Sequence, residues 1–535
     1  MELLIIPKPN QEVVYDNDKS FRIDSNIIAK TSSDNPAFLE LNSFLNKAFG
    51  YTIKSGDNGT INMFLDKTLK ANLGNEGYIL KVNENGILIK AAENNGLFYA
   101  VQTLKQIIVQ FKSLNFAEIP YLEIHDKPLY SYRGYMLDVS RHFFPIEDII
   151  KVIDTLALQK INTFHWHLTE DQGWRIQIDK YPLLTTIGAR RKETLGDKVW
   201  HGGYYTKADI KKIVDYCASK FITVIPEIDL PGHSMAAAAA YNYLTCRAEP
   251  LEVSTSFGIK PDIFCAGKES TYKFLFDVLD EIIEMFPGEY IHLGGDEAPK
   301  IRWEECPHCK KAISDNNLKN TEELQGYFLN KLVNYLKKRG KKVICWNESL
   351  YSQILDKSVV CQYWSDGKVP TRVVNEMNNG RSGIISKFSP YYLDYPYAMH
   401  SLKMVYEFAP ELEGLNNNAN ISGIEAPLWT EYVTDRSRIE YMTYPRLAAV
   451  GEIGWIYKTA RCYSDFELRL MNFLKLLDIY NVKYTPFKEV NPKIGKKIKQ
   501  MLKFVSLIYS KENIKSIKAS AKGAKAIKAV RKEIE

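Results

Sequence analysis

Hydrophobic residues follow two different patterns on either side of residue 127. Before it, short apolar runs typical of strands precede a helical stretch at residues 96–109, whose apolar positions recur at helical spacing. The runs with strand character are residues 3–6, 61–65, 78–82 and 87–90. This pattern predicts a small α+β domain over residues 1–127, with a linker at residues 125–128.

From residue 132 onward the pattern becomes a repeat of strand, loop and amphipathic helix. The predicted strands are residues 133–139, 163–168, 222–228, 290–294, 343–346, 359–363, 383–388 and 421–428. The predicted helices between them include residues 146–159, 207–219, 271–286 and 322–338. Eight strands alternating with helices predict an α/β fold, a (β/α)8 barrel of the TIM type over residues 128–485. The sequence pattern of residues 486–535 predicts a helical extension that ends in a lysine-rich tail from Lys511.

The charge of the chain is unevenly distributed. The net charge is +6, but residues 491–535 hold 13 Lys and Arg against 3 Glu, so the remainder carries −4. The main body therefore has no basic surface for nucleic acid. No apolar run is long enough to span a membrane. Nothing in the sequence indicates an oligomeric state.

The first residues do not resemble a signal peptide, because Met1 to Pro7 lack a basic start and a long apolar run. The sequence predicts a cytoplasmic protein or, if a leader has been removed, a periplasmic or extracellular one.

Eight cysteines in a chain of 535 residues do not indicate a disulfide framework. Cys306 and Cys309 form a single CxxC pair, and metal binding would require a second pair of ligands. Cys246 and Cys265 could provide that pair or could form a disulfide with each other. A structural or inert role is favoured for these cysteines, and no cofactor is expected.

Polar and aromatic residues follow the predicted barrel strands, at the ends where such barrels place their active sites. Strand 290–294 ends in two glycines, which allow close approach of a ligand or backbone, and then in Asp296 and Glu297. The other strand ends carry Asp138, Arg141, His142, His165, His167, Glu170, Asp171, Glu227, Asp229, His233, Trp346, Glu348, Trp364, Asp366, Tyr392, Asp394, Trp429 and Glu431. Singly, each could be a capped loop or a hydrogen-bonded core residue. Together they predict one site with acids for proton transfer and tryptophans for stacking.

One candidate chemistry is metal-assisted hydrolysis. His165 and His167 are two residues apart on a predicted strand, so both side chains lie on one face, as in metal-dependent barrel hydrolases. Their position on the second strand departs from that pattern. Hydrogen bonding inside the barrel is therefore favoured over metal ligation.

The other candidate is glycoside hydrolysis. Retaining glycosidases commonly hold two carboxyl groups about 5–5.5 Å apart across the scissile bond. Asp296 and Glu297 are adjacent at one strand end and cannot easily straddle a sugar in that way. One of them can act as the acid, whereas the nucleophile has to come from elsewhere. A 2-acetamido group on the sugar would serve, with the neighbouring aspartate holding and polarising its amide.

Four motifs carry a family resemblance: His292-Leu-Gly-Gly-Asp296-Glu297, Asp138-Val-Ser-Arg141-His142, His165-Trp-His167 with Asp171-Gln172, and Pro226-Glu-Ile-Asp229-Leu-Pro-Gly-His233. On these motifs the chain resembles the family 20 glycoside hydrolases, the β-N-acetylhexosaminidases, over both the N-terminal unit and the barrel. The resemblance implies that Glu297 is the general acid and then the base. It implies that Asp296 orients the acetamido group and stabilises an oxazolinium-like intermediate.

The resemblance also implies roles for the residues around this pair. Tyr392 would donate a hydrogen bond to the acetamido oxygen, inside a pocket walled by Trp346, Trp364 and Trp429. Arg141, Asp394 and Glu431 would bind the ring hydroxyls. Asp229 and His233 would orient Glu297 and the acetamido group. Glu170 stands where many members have an aspartate, so its hydrogen bond with His233 is expected in a changed register.

The sequence thus predicts an exo-acting, retaining β-N-acetylhexosaminidase without a catalytic metal. Its expected partner is a glycan or glycoconjugate with a terminal N-acetylhexosamine. The alternatives are a disaccharide-releasing or glycan-specific member of the family, or a non-catalytic sugar-binding protein on the same barrel. The intact Asp296 and Glu297 pair disfavours the last alternative.

Overall fold

The computed structural model of the protein describes residues 2–416 and 419–508, apart from the side chains of residues 15–18. The lysine-rich tail from Lys511 lies outside the described residues. None of the helices in the described ranges is both long and apolar enough to cross a membrane.

Eight parallel strands close into the predicted (β/α)8 barrel. The strands are β1 (Tyr132–Asp138), β2 (Thr163–His167), β3 (Thr223–Glu227), β4 (Tyr290–His292), β5 (Lys342–Trp346), β6 (Val360–Tyr363), β7 (Gly383–Ile385) and β8 (Ile421–Leu428). Each strand pairs with the next, and β8 closes the barrel on β1 with Ala426 beside Tyr135. Every residue of β2 is buried, as expected for a parallel strand covered by helices on its outer face.

Helices surround the barrel at the positions that the amphipathic stretches predict. Those of eight or more residues are Ile146–Leu158, Lys207–Ser219, Glu269–Met285, Pro307–Asp315, Thr321–Lys337, Thr371–Asn378, Arg436–Thr443, Arg446–Trp455, Tyr463–Ile479 and Ile494–Ile508. Lys207–Ser219 begins with a capping box, in which Thr206 and Asp209 satisfy each other's backbone N–H groups. The strand predicted at residues 383–388 is too long, because Phe388–Tyr391 forms a helical turn.

The N-terminal domain is a seven-stranded mixed sheet with two long helices. In spatial order its strands are Gln11–Ile23, Ala117–Asp126, Tyr78–Asn83, Gly86–Ala91, Ile61–Leu65, Ile28–Lys30 and Lys54–Ser55. Helix Asn94–Gln110 contacts this sheet, helix Pro36–Phe49 and the barrel helix Tyr463–Ile479. Those neighbours enclose it, so all residues from Gly96 to Val109 are buried.

Two predictions for the N-terminal domain are wrong. Residues 3–6 form no strand, because the N–H groups of Leu4 and Ile6 donate to the side chains of Gln110 and Gln106, each at 2.8 Å, rather than to a neighbouring strand. The predicted linker begins inside strand Ala117–Asp126, and Asp126 is buried. The division at residue 127 stays a prediction.

Asp126 links the N-terminal domain to the barrel. Its carboxylate accepts hydrogen bonds from Tyr78 Oη at 2.6 Å, Lys160 Nζ at 3.1 Å and Trp455 Nε1 at 2.8 Å. The side chains of Lys160 and Asp126 are both fully buried. Arg133 of β1 makes a second link, a bidentate ion pair with Glu76 at 2.7 and 3.1 Å. The contact between the domains is therefore partly electrostatic.

We expect Asp126→Ala to lower the free energy of unfolding by about 3–5 kcal/mol, because Lys160 would remain buried without its counter-ion. Urea unfolding followed by fluorescence measures the loss. The matched control is Asp215→Ala, which removes the exposed ion pair of Asp215 with Lys211 and should change little. Equal effects of the two substitutions would contradict the buried-pair assignment.

Candidate active site

The chain turns sharply after β4 to present Asp296 and Glu297. Gly294 and Gly295 have φ values of +64° and +98°, and Glu297 itself has a φ of +45°. A Cβ at position 294 would lie 1.6 Å from Asp229 Oδ1, so only glycine fits beside that carboxylate. The N–H of Glu297 donates to Glu348 Oε2 at 2.8 Å, which holds the turn from the neighbouring strand end.

His233 lies between the two acids and a third carboxylate. Its Nε2 is 3.7 Å from Glu297 Oε2 and 3.8 Å from Asp296 Oδ2. Its Nδ1 is 3.0 Å from the Glu170 carboxylate. Burial opposes a charge on the ring, but Glu170, Glu297 and Asp229 raise the pKa of His233 well above its ordinary value. His233 is therefore an imidazolium that holds these carboxylates together.

Asp296 is buried at the base of the site. Burial raises its pKa to about 7; Glu297 and Glu348 add to this rise, and the charge of His233 opposes it. The pKa of Asp229 is also raised, by burial and by Asp296. The site is therefore poised to accept positive charge next to Asp296, since such a charge would favour the ionised carboxylate.

Arg141 occupies the other side of the site, after β1. Its Nη2 is 2.7 Å from Glu170 Oε1 and 3.9 Å from Glu431 Oε1, and its Nη1 is 3.4 Å from Asp138 Oδ2. Arg141 and His233 hold the pKa of Glu170 below its usual range despite burial. Glu170 is only 2% exposed, so it orients these two cations instead of forming part of the open surface. Glu170, which stands where many members of the family have an aspartate, thus keeps a hydrogen bond with His233.

Four aromatic residues form a continuous wall beside Asp296. The ring centroids are 6.2 Å apart for Trp346 and Trp429, 6.2 Å for Tyr392 and Trp429, and 6.3 Å for Trp364 and Tyr392. The Arg141 guanidinium lies 4.7 Å from the centroid of the Trp429 ring. The planes of these neighbouring rings are tilted by 43°, 44° and 28°, so they form an angled apolar surface against which a sugar can pack.

Asp394 and Glu431 complete the set near Arg141. Burial and the neighbouring Glu431 raise the pKa of Asp394 well above its ordinary value. Burial also raises the pKa of Glu431, with Arg141 opposing the rise. The structure thus brings the candidate catalytic and substrate-binding residues together at the carboxyl ends of the barrel strands, whereas His165 and His167 pair with Glu227 inside the barrel. Their individual roles stay predictions.

Two models of one enzyme family match the chain. The description "Glycosyl hydrolase family 20, catalytic domain" covers residues 130–458, and "Glycosyl hydrolase family 20, domain 2" covers residues 2–127. The chain belongs to glycosyl hydrolase family 20. The predicted resemblance is thereby confirmed, and with it the predicted class of glycoside hydrolase.

Individual members of family 20 are similar over most of this chain. The β-hexosaminidase of Porphyromonas gingivalis is 40% identical over 434 residues, which are 77% of this chain and 55% of that protein. The β-N-acetylhexosaminidase structure from Streptomyces coelicolor has a TM-score of 0.81 at 30% identity. The match covers 91% of this chain and 98% of the Streptomyces coelicolor chain. The exo β-N-acetylglucosaminidase of Vibrio harveyi in complex with N-acetylglucosamine has a TM-score of 0.79 at 30% identity. The match covers 90% of this chain and 78% of the Vibrio harveyi chain.

The interior of this family 20 barrel contains a buried network centred on Glu227. The carboxylate accepts hydrogen bonds from His167 Nδ1 and from Trp346 Nε1 at 2.8 Å, and His165 Nε2 lies 3.1 Å away. On its other side, His165 Nδ1 lies 3.0 Å from the carboxylate of Glu425. Both histidines of the His-x-His pair are therefore held by carboxylates inside the barrel.

Glu227 and Glu348 have no role predicted from the sequence, although both lie within the polar strand-end segments. Glu227 is two residues before Asp229, and Glu348 is two residues after Trp346. A spacing of two places side chains on the same face of a strand. That spacing was the available signal for Glu227, since it predicts an inward-facing acid one layer below Asp229.

The network predicts how stability changes at alkaline pH. Burial disfavours the charged histidines, but Glu425 and Glu227 raise the pKa of His165 to about 10, and Glu227 helps raise that of His167 to about 9. In the unfolded chain both would titrate near the ordinary value of about 6.5. Their stabilisation is therefore fully present below about pH 6.5 and is lost as pH rises through 9 and 10.

Scanning calorimetry between pH 6 and 10 checks this dependence. We expect Tm to fall with rising pH, and we expect a shallower fall in Glu425→Gln, because His165 then loses one of its two carboxylates. Parallel curves for the two proteins would show that His165 is not charged in the fold.

Proposed function

We propose that this protein is an exo-acting, retaining β-N-acetylhexosaminidase. It would remove terminal, non-reducing β-linked GlcNAc or GalNAc from glycans or glycoconjugates, with the acetamido group of the substrate as nucleophile. The proposal is carried by the adjacent carboxylates of Asp296 and Glu297, which share one edge of His233 next to an aromatic wall. The similar exo β-N-acetylglucosaminidase of Vibrio harveyi, which forms a complex with N-acetylglucosamine, supports it.

The position of the two acids argues against a nucleophile from the protein. An enzymatic nucleophile has to attack the anomeric carbon from the face opposite the leaving group, across the sugar from the acid. Carboxylate oxygens of Asp296 and Glu297 lie within 4.8 Å of each other, closer than the separation of about 5–5.5 Å at which two carboxyl groups flank the scissile bond. The acetamido oxygen would instead attack the anomeric carbon while Glu297 protonates the leaving oxygen. Water, deprotonated by Glu297, would then open the oxazolinium ring.

Asp296 is suited to hold the acetamido group during this attack. Among the described residues its buried Oδ1 has no hydrogen-bond partner, and the amide N–H of the substrate would provide one. As the oxazolinium forms, its positive charge favours the ionised form of a carboxyl group whose pKa is about 7 without ligand. Tyr392 would donate to the acetamido oxygen, and Trp346, Trp364 and Trp429 would enclose its methyl group.

The remaining polar residues account for recognition of a terminal sugar. Arg141 would bind the 3- and 4-hydroxyls, and Asp394 and Glu431 would bind the 4- and 6-hydroxyls. In the described part of the chain, Asp394 Oδ1 and Arg141 Nε are buried without a hydrogen-bond partner. Sugar hydroxyls can satisfy both, because a hydroxyl donates and accepts.

Glu297→Gln tests the acid, since it keeps the shape and removes the proton. We expect a loss of roughly 10²–10⁴-fold in kcat/KM for aryl glycosides with poor leaving groups. The loss should shrink for leaving groups that depart without protonation. The control Asp215→Asn, on an exposed helix surface, should leave kcat/KM unchanged for every substrate. A constant loss across the leaving-group series would rule out Glu297 as the acid.

The source of the nucleophile is tested with a β-glucoside that carries hydroxyl in place of acetamide. Well-oriented intramolecular attack is worth about 7–11 kcal/mol, so this glucoside should be nearly inert.

Asp296→Asn should lower kcat for the N-acetyl substrate more than it raises KM, because the charge on the amide develops on the way to the transition state. A cyclic thiazoline mimic should bind Asp296→Asn less tightly than wild type. A covalent glycosyl ester found by mass spectrometry on any carboxylate would refute substrate assistance.

A further inference from the structure

Four cysteines from two separate loops meet at one point beside the barrel. Sγ of Cys265 lies 3.6 Å from that of Cys309 and 3.8 Å from that of Cys306, and Sγ of Cys246 lies 3.9 Å from that of Cys309. All four sulfurs lie within 4.8 Å of one another. Cys265, Cys306 and Cys309 are buried, and Cys246 is partly exposed.

Backbone contacts build this cluster. An antiparallel bridge between Thr245 and Phe264 brings together the segments that contain Cys246 and Cys265. The N–H of Cys265 donates to Leu244 O at 2.7 Å in the same bridge. Gly267 packs so tightly against the other loop that a Cβ there would lie 2.2 Å from the carbonyl carbon of His308. The meeting of the four thiols therefore follows from the path of the backbone.

The spacing of the sulfurs fits a metal ion and does not fit disulfides. A disulfide requires an S–S distance of about 2.05 Å. Tetrahedral zinc has Zn–S bonds of about 2.3 Å, which places its four sulfurs about 3.8 Å apart. Three of the six separations are 3.6–3.9 Å and match the tetrahedron, and the other three do not exceed 4.8 Å. We propose that Cys246, Cys265, Cys306 and Cys309 bind one structural Zn²⁺.

The surroundings suit bound thiolates. On binding, each thiol would release its proton to solvent, so the zinc with four thiolates carries a net charge of −2. Cys306 occupies the N-cap position of helix Pro307–Asp315, where partial positive charge favours a thiolate. Lys268 Nζ donates to Thr245 O, next to Cys246, at 2.6 Å. Four protein ligands leave no open coordination position, which makes the site structural and not catalytic.

The ion would join the loop after β3 to the loop after β4. The first loop holds His233 and the second begins with Asp296 and Glu297, so the metal would lie between the chain segments that carry these candidate site residues. The N–H of Phe264, next to Cys265, donates to Pro231 O at 3.1 Å. Trp303 Nε1, from the β4 loop, donates to Phe264 O at 3.0 Å. The proposed zinc would hold both loops in register from outside the site.

Metal analysis of the purified protein is the direct test. After dialysis against metal-free buffer, mass spectrometry of metals should find one zinc per chain in wild type. In Cys306→Ser and Cys246→Ser the zinc content should fall below about a tenth of that value, because a tetrahedral structural site needs all its ligands. The matched control Cys462→Ser removes an exposed cysteine far along the chain and should keep the full zinc content. Wild type that contains no metal, or iron in place of zinc, would overturn the proposal.

Two further measurements use only the wild-type protein, so they remain informative even if the cysteine variants fail to fold. Protein produced in cobalt-supplemented minimal medium should show the intense visible absorption of tetrahedral thiolate-bound Co²⁺. Wild type denatured without reductant in the presence of iodoacetamide should be alkylated at all four cluster cysteines. Resistance of cluster cysteines to alkylation would indicate disulfides and refute the site. The outcome is independent of the proposed glycosidase activity, since neither readout measures turnover.

Discussion

A single carboxylate inside the barrel, Glu227, determines the arrangement of the surrounding site. A fully buried charge is costly unless it is paired and hydrogen-bonded. Glu227 meets this requirement with the charged ring of His167, a second imidazolium at His165 and the indole N–H of Trp346. Trp346 is one wall of the aromatic pocket, and the ring of His167 lies 4.9 Å from that of Trp429, another wall. The pocket thus takes its shape from an ion network below it.

A second constraint is the crowding of carboxyl groups around Asp296. Asp229, Glu297 and Glu348 interact electrostatically with this residue, and the charge of His233 opposes them. In the proposed mechanism, this crowding would favour a ligand that becomes positive during the reaction. Preorganised charge of this kind stabilises a transition state without rearrangement of the protein.

Strand positions and strand-end acids were predictable because they follow local patterns. β8, Ile421–Leu428, was predicted with its observed bounds, and Asp296 and Glu297 were recognisable from the glycines before them. Contacts between distant segments were not predictable. Residues 3–6 look like a strand, but their N–H groups bond to side chains of a helix about 100 residues away. The cysteine cluster likewise depends on a bridge between Thr245 and Phe264 within the irregular loop after β3, and on the packing of Gly267 against His308, neither of which follows a periodic pattern in the sequence.

The filled interior of the barrel has a kinetic consequence. The layer of His165, Glu227 and Glu425 is fully buried, and an apolar layer of Ile225, Ile344, Val360 and Ile384 lies in the barrel beneath it. A sugar bound above these layers has one way out, the mouth through which it entered. In the proposed reaction the aglycone would occupy that mouth and would have to depart before water reaches the anomeric carbon. Release would then be ordered, with the aglycone first and the sugar last, and the sugar product would compete with substrate for the free enzyme.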